Sequence, residues 1–219
     1  GVKIYRYKTT ALEGSRDTLS STPETIEGPL YYQISKAVMR TKEIIENTPL
    51  FDDDQLVKST YSTIALHEII TNAIIHRDYH VADDVHIRIF DNRVEVQSPG
   101  ALPAHITVQN ILKERFARNG TIVRILNKFP NTPNKDIGEG LRTAIISLHK
   151  IGLRDPVFVE KGNNVLVIIK HEKMATAEEA IMDYLLKNNT INNREARQII
   201  HISENYRIKR IFARMVKAG

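Results

Sequence analysis

The 219-residue chain reads as an α/β protein with a small helical module at its C-terminal end. Three observations predict this. Alternating strand patterns recur in pairs, at 85–97 and at 157–170. Apolar helical runs occupy 62–76 and 141–151. Near Lys173 the pattern changes to three short helices with no strand between them.

The elements follow in order. Residues 2–7 alternate Val, Ile and Tyr with Lys and Arg, a strand pattern. From Lys8 to Thr25 the chain is rich in Ser and Thr and carries Gly14 and Pro23, which predicts a loop or hairpin. Gly28-Pro29 opens a helix with Leu30, Ile34, Val38, Ile44 and Ile45 near helical spacing, stopping at Asn47-Thr48-Pro49 because proline disfavours helix before it. A long helix follows at 62–76. Residues 85–90 and 93–97 alternate around an Asp91-Asn92 turn, a hairpin signature, and Ser98-Pro99-Gly100 breaks the second strand. Helical segments are expected at 108–114 and 121–128. A loop rich in Asn and Pro leads to Gly138-Glu139-Gly140, a helix to about Ile151, and two strands joined at Gly162. Beyond Lys173, helices are predicted at 176–186, from about Ile191, and from Ser203 onward, with Asn192 or Asn193 capping the second and Ser203 the third.

Composition narrows the function classes. A hydrophobic fraction of 42% and a charged fraction of 26% are those of an ordinary globular protein. No apolar run approaches the roughly 18 residues that span a bilayer, so no membrane role is expected. Cysteine is absent, which excludes disulfides and Cys-type zinc sites and suits a cytoplasmic protein. The chain starts at Gly1 without an initiator Met, as a fragment would. A net charge of +5 favours a polyanionic partner.

The chemistry concentrates in ALHEIITNAIIHRDY, residues 65–79. Leu66, Ile69, Ile70 and Ala73 centre a buried helix face, and Glu68, Asn72 and His76 line its edge. A carboxylate and a carboxamide one turn apart can orient water and hold a hydrated divalent cation; they can also simply face solvent. A zinc-protease motif fails because Thr71 stands where His is needed. His76-Arg77-Asp78 is not a kinase catalytic loop, since Asp83 occupies its Asn position and no Gly-rich loop precedes it. A metal cluster of His76, Asp78 and His80 competes with ordinary surface histidines. Gly138-Glu139-Gly140 opening a helix would bring backbone N–H groups to a phosphate or form a plain helix-start turn. No P-loop occurs.

Taken in order, the E-x-x-x-N helix, the hairpin, the glycine turn and the G-x-G-L helix resemble the GHKL-type ATPase fold of gyrase-like ATPases, histidine kinases and MutL-type proteins. ALHEIITNAIIHRDYH, IRIFDNRVEVQSPGALP, RNGTIVRIL and IGEGLRTAI are closer still to the ATPase-like C-terminal domain of RecG-related proteins. In that family the domain follows a Schlafen AlbA-type domain and often precedes a winged helix. Residues 1–30 resemble the segment after the AlbA-type domain, which is itself absent. The resemblance implies a GHKL-like α/β sandwich with a mixed sheet over 1–172. It implies ATP and Mg²⁺ as ligands: Asn72 ligating Mg²⁺, Glu68 orienting the attacking water, and Gly138 and Gly140 near the phosphates. Gly100 would lie beside the adenine, with Asp78 in the same nucleotide-binding set. Where the family has an Asp that accepts from the adenine amino group, this chain has Ser98, a weaker acceptor.

Residues 173–219 resemble winged-helix transcription regulators. The third helix carries Arg207, Lys209, Arg210, Arg214 and Lys217 against the single acid Glu204. Its N-terminal Asn205, Tyr206 and Arg207 could reach base edges while Lys209, Arg210 and Arg214 meet phosphates. A solvated basic helix is the alternative. The expectation is a DNA-binding transcriptional regulator, homo-oligomeric, whose ATPase-like domain senses nucleotide or dimerises. A working Mg²⁺-dependent ATPase acting on a nucleic-acid complex, or a ligand-free assembly module, are the other two readings.

Overall fold

The computed structural model describes residues 1–52, 55–58, 61–103, 105–114, 117–130, 140–171, 177–188, 190–199 and 205–218. The chain divides into two compact units, Gly1–Glu172 and Lys173–Gly219. The first contains, in order, β1 (Val2–Arg6), β2 (Glu24–Ile26), α1 (Leu30–Glu46), β3 (Pro49–Asp52), β4 (Gln55–Lys58), α2 (Thr63–Ile75), β5 (Val85–Ile89), β6 (Arg93–Pro99), α3 (Gly120–Leu126), α4 (Gly140–His149), β7 (Val157–Glu160) and β8 (Asn164–Lys170).

Six strands form one mixed sheet in the order β2-β1-β5-β6-β8-β7. Only β1 and β5 run parallel, with Ile4 opposite Ile87; every other neighbouring pair is antiparallel. The parallel pair requires a crossover, which α1, the separate β3–β4 hairpin and α2 supply. The period of two is legible in burial. Val85, Ile87 and Ile89 are buried, whereas His86 and Arg88 between them are half-exposed. Val2, Ile4, Val94, Val96, Val167 and Ile169 form the buried floor against helices α1 and α2, and Ala144 and Leu148 of α4 join the same core.

The opposite face of β6 carries a buried ion pair. Arg93 Nε donates to Glu95 Oε1 at 2.7 Å, and the guanidinium also donates to the carbonyls of Ala11 and Leu12, both at 2.8 Å. The Ser/Thr-rich loop is thereby pinned to the sheet. A pair with its remaining protons satisfied by carbonyls is the arrangement that tolerates burial.

Two expectations need correction, and one element is new. Residues 108–114 form successive turns rather than a helix. Thr107 and Asn110 close a reciprocal box at their start, Asn110 Oδ1 accepting from Thr107 N at 2.7 Å and Thr107 Oγ1 from Asn110 N at 3.3 Å. The backbone then mixes partners three and four residues back, Lys113 N and Glu114 N both donating to Asn110 O, so the turns do not settle into one helical ladder. Strand β6 continues through Ser98 to Pro99. Residues 24–26 form β2, antiparallel to β1, in line with the hairpin alternative for 8–25, and the β3–β4 hairpin was not expected.

The second unit contains α5 (Ala177–Lys187), α6 (Asn193–Ile199) and α7 (Asn205–Ala218). Ile181, Ala196, Ile208 and Ile211 form its core. Asn192 caps α6: its side-chain oxygen accepts from Arg194 N and Glu195 N, both at 2.9 Å, and Glu195 returns a bond to Asn192 N, a reciprocal capping box. The cap expected at Ser203 lies outside the described residues. Among the described residues no helix is long and apolar enough to cross a membrane.

Candidate functional site

Helix α2 organises the site. It begins where Ser62 Oγ accepts from Ala65 N at 3.3 Å, a side-chain N-cap. It lies between α1 and α4 and over β6, so most of its circumference is buried, from Ala65 to Ile75. Among the polar residues that interrupt that apolar surface, Glu68 and Asn72 meet the start of α4. Glu68 is buried, at 9% exposure. A side chain at Gly140 would run into Glu68 Oε2, and the same position is 4.0 Å from Asn72 Nδ2. A side chain at the first residue of α4 would thus displace the Glu68 carboxylate, and Gly140 leaves it in place beside Asn72. Gly138, its expected companion, lies outside the described residues.

The C-terminal end of α2 is tied down by several side-chain and backbone bonds. Asn119 Nδ2 donates to Ile75 O and to Arg77 O, both at 2.8 Å. Tyr79 Oη donates to Ile74 O at 2.8 Å, and Asp78 N donates to Pro99 O at 2.7 Å. Arg77 donates to Val81 O at 3.2 Å and also to Asp83 O, with its guanidinium 5.0 Å from the centre of the Tyr79 ring. The HRDY sequence thus closes the connection into β5 and satisfies orphan helix carbonyls.

A cavity of about 430 Å³ lies beside α2. Asn72, Ser98, Gly100 and Gly140 all line it, as do His76, Arg118 and Arg142. Apolar residues of β6, β8 and the 101–112 segment form most of its wall, the composition expected of a small-molecule site. Asp78 is not among the lining residues. It stands behind Gly100, where it accepts from His80 N at 2.9 Å and contacts the His80 ring at 3.1 Å. Those hydrogen bonds hold its carboxyl below the ordinary carboxylate range, with Arg118 adding to the effect.

Ser98 is buried, and its hydroxyl donates to Ala73 O at 2.8 Å. Gly100 has φ +100°, and a side chain there would run into the Arg118 guanidinium and come within 2.6 Å of Asp78 Cβ. Both constraints demand glycine. Burial, and then the nearby Arg118 charge, push the His76 imidazole below its usual pKa, so this ring stays neutral at pH 7. Arg118 and Asn119 went unassigned in the sequence. Their signal was the polar Arg-Asn-Gly break between two apolar segments, which alone says nothing about what they bond.

The pair Glu68–Asn72 can be tested for Mg²⁺. Among the described residues no group of three His, Asp or Glu side chains gathers as a metal cage. Mg²⁺ in nucleotide sites takes one or two protein ligands and fills its shell with water and phosphate oxygens. One carboxamide, Asn72, beside the side-chain-free Gly140 fits that requirement.

In the second unit, Tyr206, Lys209, Arg210 and Lys217 lie exposed on α7, opposite Ile208 and Ile211. Arg214 is also exposed but forms an ion pair with Glu178 of α5 at 2.7 Å. It is therefore less available than its neighbours. The side chains of Asn205 and Arg207 lie outside the described residues.

A mixed six-stranded sheet with its helices on one face and a ligand-sized cavity beside the E-x-x-x-N helix defines an α+β ATPase-like fold. Residues 82–169 match the family model described as the putative ATP-dependent DNA helicase recG C-terminal. That match supports a RecG-related ATPase-like domain in this part of the chain. Among solved structures, the DIP2311 protein from Corynebacterium diphtheriae is similar, with a TM-score of 0.60 and 16% sequence identity. The likeness covers 97% of this chain but 39% of that one, and at such identity it is a likeness of fold alone. No curated protein matches the chain.

Proposed function

We propose that the chain is a DNA-binding regulator of transcription whose first unit binds a Mg²⁺–nucleotide in the cavity beside α2. The observation that carries this reading is convergence. Asn72, Ser98, Gly100 and Gly140, widely separated in sequence, line one cavity, and Glu68 abuts Gly140. Asn72 would hold Mg²⁺ through its side-chain oxygen, and the metal would neutralise phosphate charge when bound. The backbone at the start of α4 would face the phosphates, where helix N–H groups favour anions. The RecG-related match over residues 82–169 supports the same class of ligand.

Thermal unfolding with Mg²⁺–ATP tests this. A ligand at a hundred times its Kd stabilises the folded state by about 2.7 kcal/mol. The wild type should gain that order of stability, and Asn72→Ala should gain much less. Absence of any shift in the wild type at millimolar nucleotide would remove the reading.

A second reading, turnover of the nucleotide, rests on Glu68, whose Oε2 is the atom nearest the missing Gly140 side chain. A carboxylate there can orient a water for in-line attack. Glu68→Gln should then abolish hydrolysis and retain binding; equal hydrolysis by the variant would exclude that role. The DNA-binding part of the proposal rests on the exposed basic face of α7.

A further inference from the structure

Arg118 and Arg142 both bring guanidinium groups to the cavity wall, and Arg118 is the one that lies against Gly100. Its guanidinium carries five N–H groups on a side chain 20% exposed. Nη2 donates to Ala101 O. Nη1 stands 3.9 Å from Asp78 Oδ2, beyond hydrogen-bond range, and Asp78 Oδ1 is already engaged by His80. Among the described residues, one carbonyl is the only hydrogen-bond acceptor this group has. The absence of a side chain at Gly100 is what lets the guanidinium lie across the cavity.

Ser98, two residues before Gly100, has the opposite character. Its single proton is committed to Ala73 O at 2.8 Å, so toward the cavity it can only accept. Ile69, Val96, Val165, Val167 and Phe158 supply apolar walls. An acceptor and a donor in an apolar slot complement the edge of a flat ring that carries an amino group next to an unprotonated ring nitrogen. Adenine has such an edge. A 6-oxopurine presents a carbonyl in place of the amine, and Ser98 has no proton left to meet it. The neutral His76 ring adds no competing charge at this end.

We propose that, given the nucleotide site above, Arg118 is a specificity residue that donates to a ring nitrogen of an aminopurine base while Ser98 accepts from the amino group. Selectivity for the base is thereby divided between a hydroxyl and a guanidinium, in the absence of a carboxylate.

The test compares three probes on the whole chain by calorimetric titration: Mg²⁺–ATP, Mg²⁺–ITP, and inorganic tripolyphosphate with Mg²⁺. ITP differs from ATP at the amino position, and tripolyphosphate reports the metal–phosphate end alone. The wild type should prefer ATP to ITP by about tenfold, the order of one buried polar mismatch. Arg118→Lys, which keeps the charge but loses the planar fork, should weaken ATP about tenfold and leave tripolyphosphate unchanged. Ser98→Ala should erase the ATP–ITP preference, which keeps the idea testable if an Arg118 variant misfolds. Equal wild-type affinity for ATP and ITP would overturn the proposal, as would ATP binding by Arg118→Lys within twofold of wild type. Both results leave the nucleotide site standing. Parallel losses for ATP and tripolyphosphate would assign Arg118 to the phosphates and overturn it too. If the wild type binds none of the three probes, the nucleotide site itself falls and the specificity role with it.

Discussion

Gly100→Ala should be among the most damaging single substitutions in the first unit. The residue has φ +100°, where an L side chain costs about 1–2 kcal/mol. The added carbon would also meet the Arg118 guanidinium and lie 2.6 Å from Asp78 Cβ. Arg118 can swing aside by giving up its bond to Ala101 O. Asp78 Cβ cannot, because the Asp78 backbone N–H is bonded to Pro99 O at 2.7 Å. Forcing a methyl group into such a site costs about 1–3 kcal/mol more. The total of roughly 2–5 kcal/mol corresponds to a fall in Tm of about 4–20 °C for a unit of this size. Thermal unfolding followed by circular dichroism measures it. The double variant with Arg118→Ala should recover part of the loss, since one of the two collisions is gone. A Gly100→Ala protein within about 1 kcal/mol of wild type, or no coupling with Arg118, would refute the account of this corner.

Other substitutions probe separate parts. Arg93→Met strands the buried Glu95 carboxylate and releases the carbonyls of Ala11 and Leu12. It should cost about 3–5 kcal/mol and open the 8–19 loop to limited proteolysis; an uncleaved loop would contradict the pinning. His76 has a lowered pKa in the folded state, so it binds fewer protons there than in the unfolded chain. Its contribution is full above the ordinary imidazole value and is lost as pH falls below about 6.5 toward the folded value. Urea unfolding between pH 7.5 and 5.5 should show this loss in wild type and less of it in His76→Gln; identical slopes would exclude His76 as the cause. For the second unit, Lys209→Ala with Arg210→Ala should reduce the slope of log binding constant against log salt for duplex DNA by about 1.8, some 0.9 per phosphate contact. Arg214→Ala, already paired with Glu178, should change it less. An unchanged slope in the double variant would remove α7 from the interface.

The sheet and the helix with Glu68 and Asn72 were legible because each depends on a local period. Alternation in 85–97 and helical spacing in 62–76 survive whatever surrounds them. What the period did not reveal were short segments whose backbone pairing is decided locally or by a partner elsewhere in the fold. Residues 108–114 begin with a helix-type box at Thr107 and Asn110, yet their backbone bonds mix partners three and four residues back. Pro49 read correctly as the end of α1 but concealed that it also begins a strand. The candidate site divided in the same way. Glu68, Asn72 and Gly100 announce themselves by type and spacing, whereas Arg118 and Asn119 acquire meaning only from carbonyls reached across the fold, at Ala101, Ile75 and Arg77. Asp78 is the converse case. Its motif drew attention, yet it stands behind the cavity wall.

The bond from Arg118 to the Ala101 carbonyl ties together two positions that bracket most of the loop lining the cavity, including Leu102, Pro103, Ile106, Ile111 and Leu112. Its first residues are fixed independently: Ala101 N donates to Asn163 Oδ1 and Leu102 N to Glu160 Oε1. A surface excursion with its neck closed in this way can be rewritten without disturbing what lies outside the neck. Lengthening it is also cheap, about 0.6 kcal/mol for each doubling. Relatives that keep the glycine and the arginine are therefore free to diversify the intervening residues, and a laboratory library confined to 103–114 would explore new ligand shapes on an unchanged scaffold.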